Sequence, residues 1–146
     1  VGLSPCIIPE MGEPTFEMNE GQMEIGIGIH GEPGIGKGEL KSADEIVEKI
    51  MKSILEDLPY QSGDEVSVLV NGLGATPKEE LYIVYRKVAQ ILKDRKIAIY
   101  HSYIGEFATS MEMAGMSISL LKLDQELKNL LKKSADTPFF VQAELE

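Results

Sequence analysis

Cysteine, histidine, basic charge and long apolar runs are all scarce in this chain. Its 146 residues include one cysteine and two histidines. A lone Cys6 forms no internal disulfide, which makes a reducing cytoplasm the simplest location. His30 and His101 belong to no H-x-x-x-H pair and Cys6 to no C-x-x-C, so the spacing of a zinc site is missing. Lys and Arg number 14 against 24 Asp and Glu, a formal charge of −10. Nucleic acid and anionic membrane surfaces need a basic face, so neither is expected as a partner. No apolar run approaches the roughly 18 residues of a membrane-spanning helix, and no secretory-leader pattern opens the chain. The first residues, VGLSPCIIP, lack Met and read as the interior of a longer protein.

What is present suits one α/β domain over residues 1–146. Apolar residues make up 43%, enough for a core at this length. Residues 1–21 read as an extended lead-in with a short strand at Thr15–Met18. Met23–Ile29 alternates as a strand ending at His30, and Gly31–Lys41 reads as a loop. Ser42 and Glu45 form a capping box before Ile46, Val47, Ile50, Met51, Ile54, Leu55 and Leu58, whose spacing predicts a helix ended by Pro59. Glu65–Val70 is a buried strand leading into a glycine-rich turn at Asn71–Ala75. Thr76 as N-cap, Pro77 and Glu79 then open a second helix with Leu81, Val84, Tyr85, Val88, Ile91 and Leu92 inward. Strands follow at Ile97–Ile104 and Met116–Asp124, a helix at Gln125–Lys133 and a last strand at Pro138–Ala143. The alternation predicts an α/β sheet, mixed because some connections are too short for a helical crossover.

The stretch GIGIHGEPGIGKG, Gly26 to Gly38, spells two phosphate-binding patterns and satisfies neither. In the dinucleotide reading, Gly26, Gly28 and Gly31 must run into a helix. Pro33, Gly34 and Gly36 keep the backbone out of one until about Ser42, and Glu32 repels phosphate. In the P-loop reading, Lys37 must be followed by Ser or Thr to reach magnesium, but position 38 is Gly. That leaves His30, between Gly28 and Gly31, where glycine permits close approach of a small ligand. Neutral imidazole is a nucleophile near pH 7 and can attack a carbonyl. On these grounds alone two readings stay open: a hydrogen-bonded histidine at a strand end, or a functional one.

Four blocks together are more specific: LSPCIIP (Leu3–Pro9), EIGIGIHGEPG (Glu24–Gly34), LVNGLGATPKEELY (Leu69–Tyr82) and GEFATSMEMAGMSISLLKLD (Gly105–Asp124), with TPFF near the end. In order and spacing they resemble the substrate-binding subunit of dihydroxyacetone kinases, DhaK, and the equivalent domain of single-chain kinases, over the C-terminal half of that unit only. The resemblance implies a two-layer mixed β-sheet with helices packed on one side. It implies that His30 holds dihydroxyacetone as a covalent hemiaminal through Nε2, with Gly28 and Gly31 leaving room for the ketone. No metal or cofactor is expected on this chain itself. ADP or ATP with magnesium would sit on a DhaL-like all-helical partner subunit, in the phosphotransferase-system-linked form rather than the fused one. A cytoplasmic homodimer acting in glycerol metabolism is the implied setting. The family's acid/base pair belongs to the N-terminal half, absent from this chain, so the 146 residues alone are expected to be inactive.

Two other readings stand beside that one. A non-catalytic relative would keep the ketone-binding histidine and act as a coactivator of a transcription regulator. A purely structural α/β piece would leave His30 without a task. For Asn71–Ala75 a structural turn is favoured over an anion site, and for Met111, Met113 and Met116 core filling is favoured over a partner surface. The acidic residues Glu45, Glu48 and Glu56 are read as solvated.

Overall fold

Two helices on one face of a sheet are set by residues whose spacing gave them away. The computed structural model describes residues 1–14, 16–28 and 34–145. Helix α1 (Ala43–Asp57) opens on the expected capping box: Ser42 Oγ accepts from the Glu45 amide, and the Glu45 carboxylate accepts from the Ser42 amide at 3.2 Å. It buries Ile46, Val47, Met51 and Leu55, one stripe at helical spacing. Leu58, expected on that stripe, is exposed, because the helix stops at Asp57. Helix α2 (Lys78–Asp94) buries Leu81, Val84, Val88 and Leu92. The helices pack together, with ion pairs Lys87–Glu48 at 2.6 Å and Arg86–Asp44 across their outer faces.

Under the helices lies a mixed sheet. Its centre is β3 (Glu65–Gly72), paired in parallel with β4 (Ala98–Gly105) and antiparallel with β5 (Met116–Lys122). The parallel pair needs a long connection, which α2 supplies. Val66, Val68 and Val70 are fully buried beneath the helices. Period-2 alternation turns Ser67, Leu69 and Asn71 to the opposite face, with His101, Tyr103 and Leu121 beside them in register. That face is only partly covered. Edge-to-face contacts link Tyr103, Phe107 and Phe140 at 5.8 to 6.1 Å, and Tyr103 Oη donates to Gln142 Oε1 at 2.8 Å. Leu121 is 45% exposed and Phe139 97%. The expected mixed sheet with helices on one side is the fold observed.

Several local expectations need correction. Strand β1 (Gln22–Ile25) stops at Gly26, which sits at φ +79, rather than running on towards residue 29. The supposed loop from residue 31 to Lys41 contains β2 (Gly36–Glu39), antiparallel to β1 with Glu24 opposite Lys37. GKGE has no buried side chain, so its strand is specified by backbone pairing rather than by an apolar face. Phe16–Met18 form no strand; Thr15 lies outside the described residues. Thr76 does not cap α2. Pro77 occupies the N-cap position without a side-chain hydrogen bond, while Thr76 Oγ1 donates to Gly115 O and accepts from Gly115 N, at 2.7 and 2.8 Å. The last helix, α3 (Gln125–Leu131), is capped by Asp124, and the terminal strand is a short hairpin of β6 (Ala135–Asp136) and β7 (Val141–Gln142).

The β1–β2 hairpin joins the main sheet through the first residues of the chain. Gly2 exchanges both backbone hydrogen bonds with Glu24 at 2.9 Å and forms a bridge to Gly115 on its other side. Leu3 N donates to Ala114 O at 2.7 Å, and Met116 N donates to Val1 O at 2.9 Å. At Gly115 the chains run so close that a Cβ would lie 2.3 Å from Val1 O and 3.1 Å from Gly2 Cα. Gly115→Ala must therefore push two backbones apart, and we expect it to lower unfolding free energy by about 3 kcal/mol. Urea denaturation measures this; a loss below about 0.5 kcal/mol, the level of a neutral surface change, would show that the seam is not tight.

Candidate functional site

The C-terminal ends of the parallel strands β3 and β4 form the place where an open α/β sheet offers a crevice. Asn71, 2% exposed, lies one residue before the end of β3 and fastens the loop after β4. Its Oδ1 accepts from the Phe107 and Ala108 amides at 2.7 and 2.9 Å, and its Nδ2 donates to Ala108 O at 2.8 Å. Beyond it the loop lies along the strand's continuation: Ser110 N donates to Leu73 O at 2.9 Å and Ala75 N to Met113 O at 3.1 Å. The turn at 71–75 is thus tied to the loop after β4 by hydrogen bonds at both ends. Met113 and Met116 are buried, whereas Met111 is 47% exposed and holds a left-handed backbone at φ +51.

A second, smaller core forms at this end. Cys6, Leu73 and Met113 are buried together, with Phe16 and Ile27 against them. Ile27 and the half-buried Gly28 line a cavity of about 40 Å³ with Leu73, Ser110, Met113 and Ser117. Cys6 Sγ lies 3.8 Å from Ser110 Oγ, Ala114 N donates to Ser4 Oγ at 3.0 Å, and Ile7 N donates to Glu112 Oε1 at 2.6 Å. All four sequence blocks, separated along the chain, meet around this cluster. A wider apolar hollow of about 330 Å³ on the helix side, between Leu3, Leu40, Ile46, Ile83 and Val84, shares Val1 and Met116 with the small cavity.

Of the residues picked from sequence, Gly28 stands at this cluster. His30 and Gly31 lie outside the described residues, as does Glu32. Lys37, the lysine of the P-loop spelling, is on β2 and donates to Glu17 O at 2.9 Å, with the rest of β2 and a short connection between it and the start of α1 at Ala43. His101 is on β4, edge-on to Tyr103 at 4.5 Å. No helix among the described residues is long and apolar enough to cross a membrane.

Comparison with known proteins agrees with the geometry at this point: the Dak1 domain model matches residues 1–139. The chain belongs to the Dak1 domain family. It is 49% identical over 140 residues to "PTS-dependent dihydroxyacetone kinase 2, dihydroxyacetone-binding subunit DhaK" of Listeria innocua, covering 96% of this chain and 42% of that protein. It is 41% identical over 144 residues to L-erythrulose kinase of Pectobacterium atrosepticum, covering 96% and 24%. Among solved structures, the "Dihydroxyacetone kinase operon co-activator Dha-DhaQ" superimposes with a TM-score of 0.83 at 26% identity, covering 91% of this chain and 42% of that one. The chain thus spans less than half the length of these relatives.

Two residues of this Dak1 chain escaped the sequence reading. Asn71 was seen only as part of a turn; the signal was its place at the end of an apolar strand, where a buried amide must find partners. Glu24 alternates with the apolar residues of its strand, yet it is 6% exposed. Removing the Asn71 side chain strands two amides and a carbonyl, so Asn71→Ala is expected to cost about 2–3 kcal/mol. Urea midpoints measure this, and a shift of under about 0.5 kcal/mol would show that the loop does not depend on it.

Proposed function

We propose that this chain is the ketone-anchoring part of a dihydroxyacetone kinase's substrate-binding unit, with His30 as the covalent anchor. The observation that carries the reading is the convergence of the four family-matching blocks on one sheet end, with Ile27 and Gly28, the described residues leading into the histidine's segment, packed among them. In this reading the Nε2 lone pair of neutral His30 adds to the carbonyl carbon of dihydroxyacetone. A carbon–nitrogen bond forms, the carbonyl π pair moves to oxygen, and that oxygen takes up a proton while the ring gives one up at Nδ1. The product is a hemiaminal, with no net change in protons.

Such addition rejects glycerol-like polyols, which have the hydroxyls but no electrophile. It also fixes the terminal hydroxyl for phosphoryl transfer, a gain of positioning. Gly28 and Gly31 leave room beside the ring. The phosphoryl group would come from ATP with magnesium on a DhaL-like subunit, and the ADP left there would be rephosphorylated in place by the phosphotransferase system, as the name of the Listeria relative suggests. The acid/base pair of the reaction belongs to the family's N-terminal half, and a homodimer is the expected assembly. The erythrulose kinase relative widens the substrate class to short ketoses.

A second reading, a ketone-sensing coactivator, is favoured by the coactivator structure's TM-score of 0.83. Phosphoryl transfer to dihydroxyacetone by the complete protein and a nucleotide-binding subunit separates the two: turnover supports the kinase, and ketone binding without turnover supports the sensor. The covalent step is tested with carbonyl-labelled dihydroxyacetone and the complete protein. Carbon NMR is expected to show a tetrahedral carbon in wild type and none in His30→Ala; a tetrahedral signal that survives in the variant would remove His30 from the role. The 146 residues alone are expected to give no turnover, and substantial phosphorylation by them with the nucleotide subunit would refute the need for the N-terminal half.

A further inference from the structure

Strand β5 has β3 on one side, and on its other edge the described residues cover only the start. There Val1 N donates to Met116 O at 2.7 Å, and Met116 N donates to Val1 O at 2.9 Å. Gly2 bridges Gly115 in the antiparallel sense, so each step back from Val1 is a step forward along β5. A residue two places before Val1 would fall opposite Ile118. Leu123 N donates to Glu65 O, and strict alternation then gives β3 the odd-numbered residues of β5. The N–H and C=O of Ile118 therefore point to the outer edge, as those of Met116 do. Neither group has a partner among the described residues. Ile118 is nonetheless only 8% exposed, which leaves water little access to them. Buried backbone groups are seldom left unpaired. Further along, Leu120 O is taken by Tyr60 Oη at 3.2 Å, which closes the far end of the open stretch.

The surroundings suit an extended chain. Asp44 and Glu48 turn one flank of α1 towards α2 through their ion pairs. Ile50 and Ile54 lie on the other flank of that helix, which packs on β5, and both are only half-buried. As a free amino terminus the Val1 nitrogen is lowered to about 6 by burial. As a peptide N–H it would keep its bond to Met116 with no charge to desolvate. The relatives are also longer: the matched region is 42% of the Listeria subunit.

We propose that in the complete protein the residues just before Val1 run as a strand along the outer edge of β5, pairing with Ile118 and packing an apolar side chain against Ile50 and Ile54. The side chain opposite Ile118 shares the face of Val1 and Met116, which is the helix side. The occupant is this chain itself. A residue joined to Val1 has its Cα about 3.8 Å away and takes the place that a second copy's strand would need. The preceding part of the protein thus enters through a hydrogen-bonded ladder, which fixes its direction of approach. The same strand shields an edge that would otherwise be open to pairing with other chains.

The test reads amide exchange at Ile118 in the complete protein, wild type against a variant with proline two places before Val1. Proline removes the N–H that would donate to Ile118 O. Wild-type Ile118 is expected to exchange as slowly as its neighbours Ser117 and Ser119. In the variant it is expected to exchange about tenfold faster or more, with the two serines unchanged. Should the proline variant fail to fold, aspartate at the same place keeps the N–H and sets a charge against Ile50 and Ile54. It is expected to give the same rise. Wild-type Ile118 exchanging at the rate of an open edge overturns the proposal. So does slow exchange that neither substitution changes, which assigns the Ile118 bonds to another stretch of chain. Protection that vanishes on dilution overturns it as well, by assigning the edge to a second copy.

Discussion

The structure depends on a backbone contact between glycines. Gly2 runs between Glu24 and Gly115, and that contact joins the hairpin to the helix-backed sheet. Without it the chain would be a three-stranded sheet with two helices and a detached two-stranded ribbon, and an isolated ribbon is marginally stable in water. The seam is made of main-chain bonds and lacks side-chain bulk on the strand side, so it tolerates almost no added volume. Thr76 reinforces it by bonding both the amide and the carbonyl of Gly115. A residue that would ordinarily cap a helix is here used to hold a strand.

That seam also sets where the chain goes after β1. By fixing β1 beside residues 1–3, it brings Ile27 and Gly28 to the same end of the sheet as Leu73 and Met113. Asn71 holds the loop after β4 from the opposite side. The segment carrying His30 therefore departs from a base built of three otherwise separate stretches of chain.

How much of this was legible depends on what kind of signal specified each part. The helices and the three strands of the main sheet were readable to within a residue or two at most ends, because apolar spacing and the Ser42–Glu45 box specify them locally. Strand β2 was not: Gly36-Lys37-Gly38-Glu39 has no apolar alternation, and only its partner makes it a strand. Thr76 was misassigned because its hydroxyl had two candidate uses, and the distant one won. The burial of Glu24 depends on a pairing with Gly2 and Gly34 that no local window contains. His30 was singled out by motif, and its segment lies outside the described residues, so its candidacy still rests on sequence and resemblance.

The face of the sheet turned away from the helices, with Leu69, Tyr103, Leu121 and the Phe107, Phe139 and Phe140 rings, has a consequence for behaviour in solution. Apolar patches of this kind attract one another, and nothing inside the fold opposes that. The opposing force is long-range: a formal charge of −10 spread over a 16.1 kDa chain. Salt shortens the reach of that repulsion to about 8 Å at physiological ionic strength. Acidification towards pH 4.7 abolishes it. The colloidal state of this chain is therefore governed by its acidic surface, while its internal contacts stay as they are.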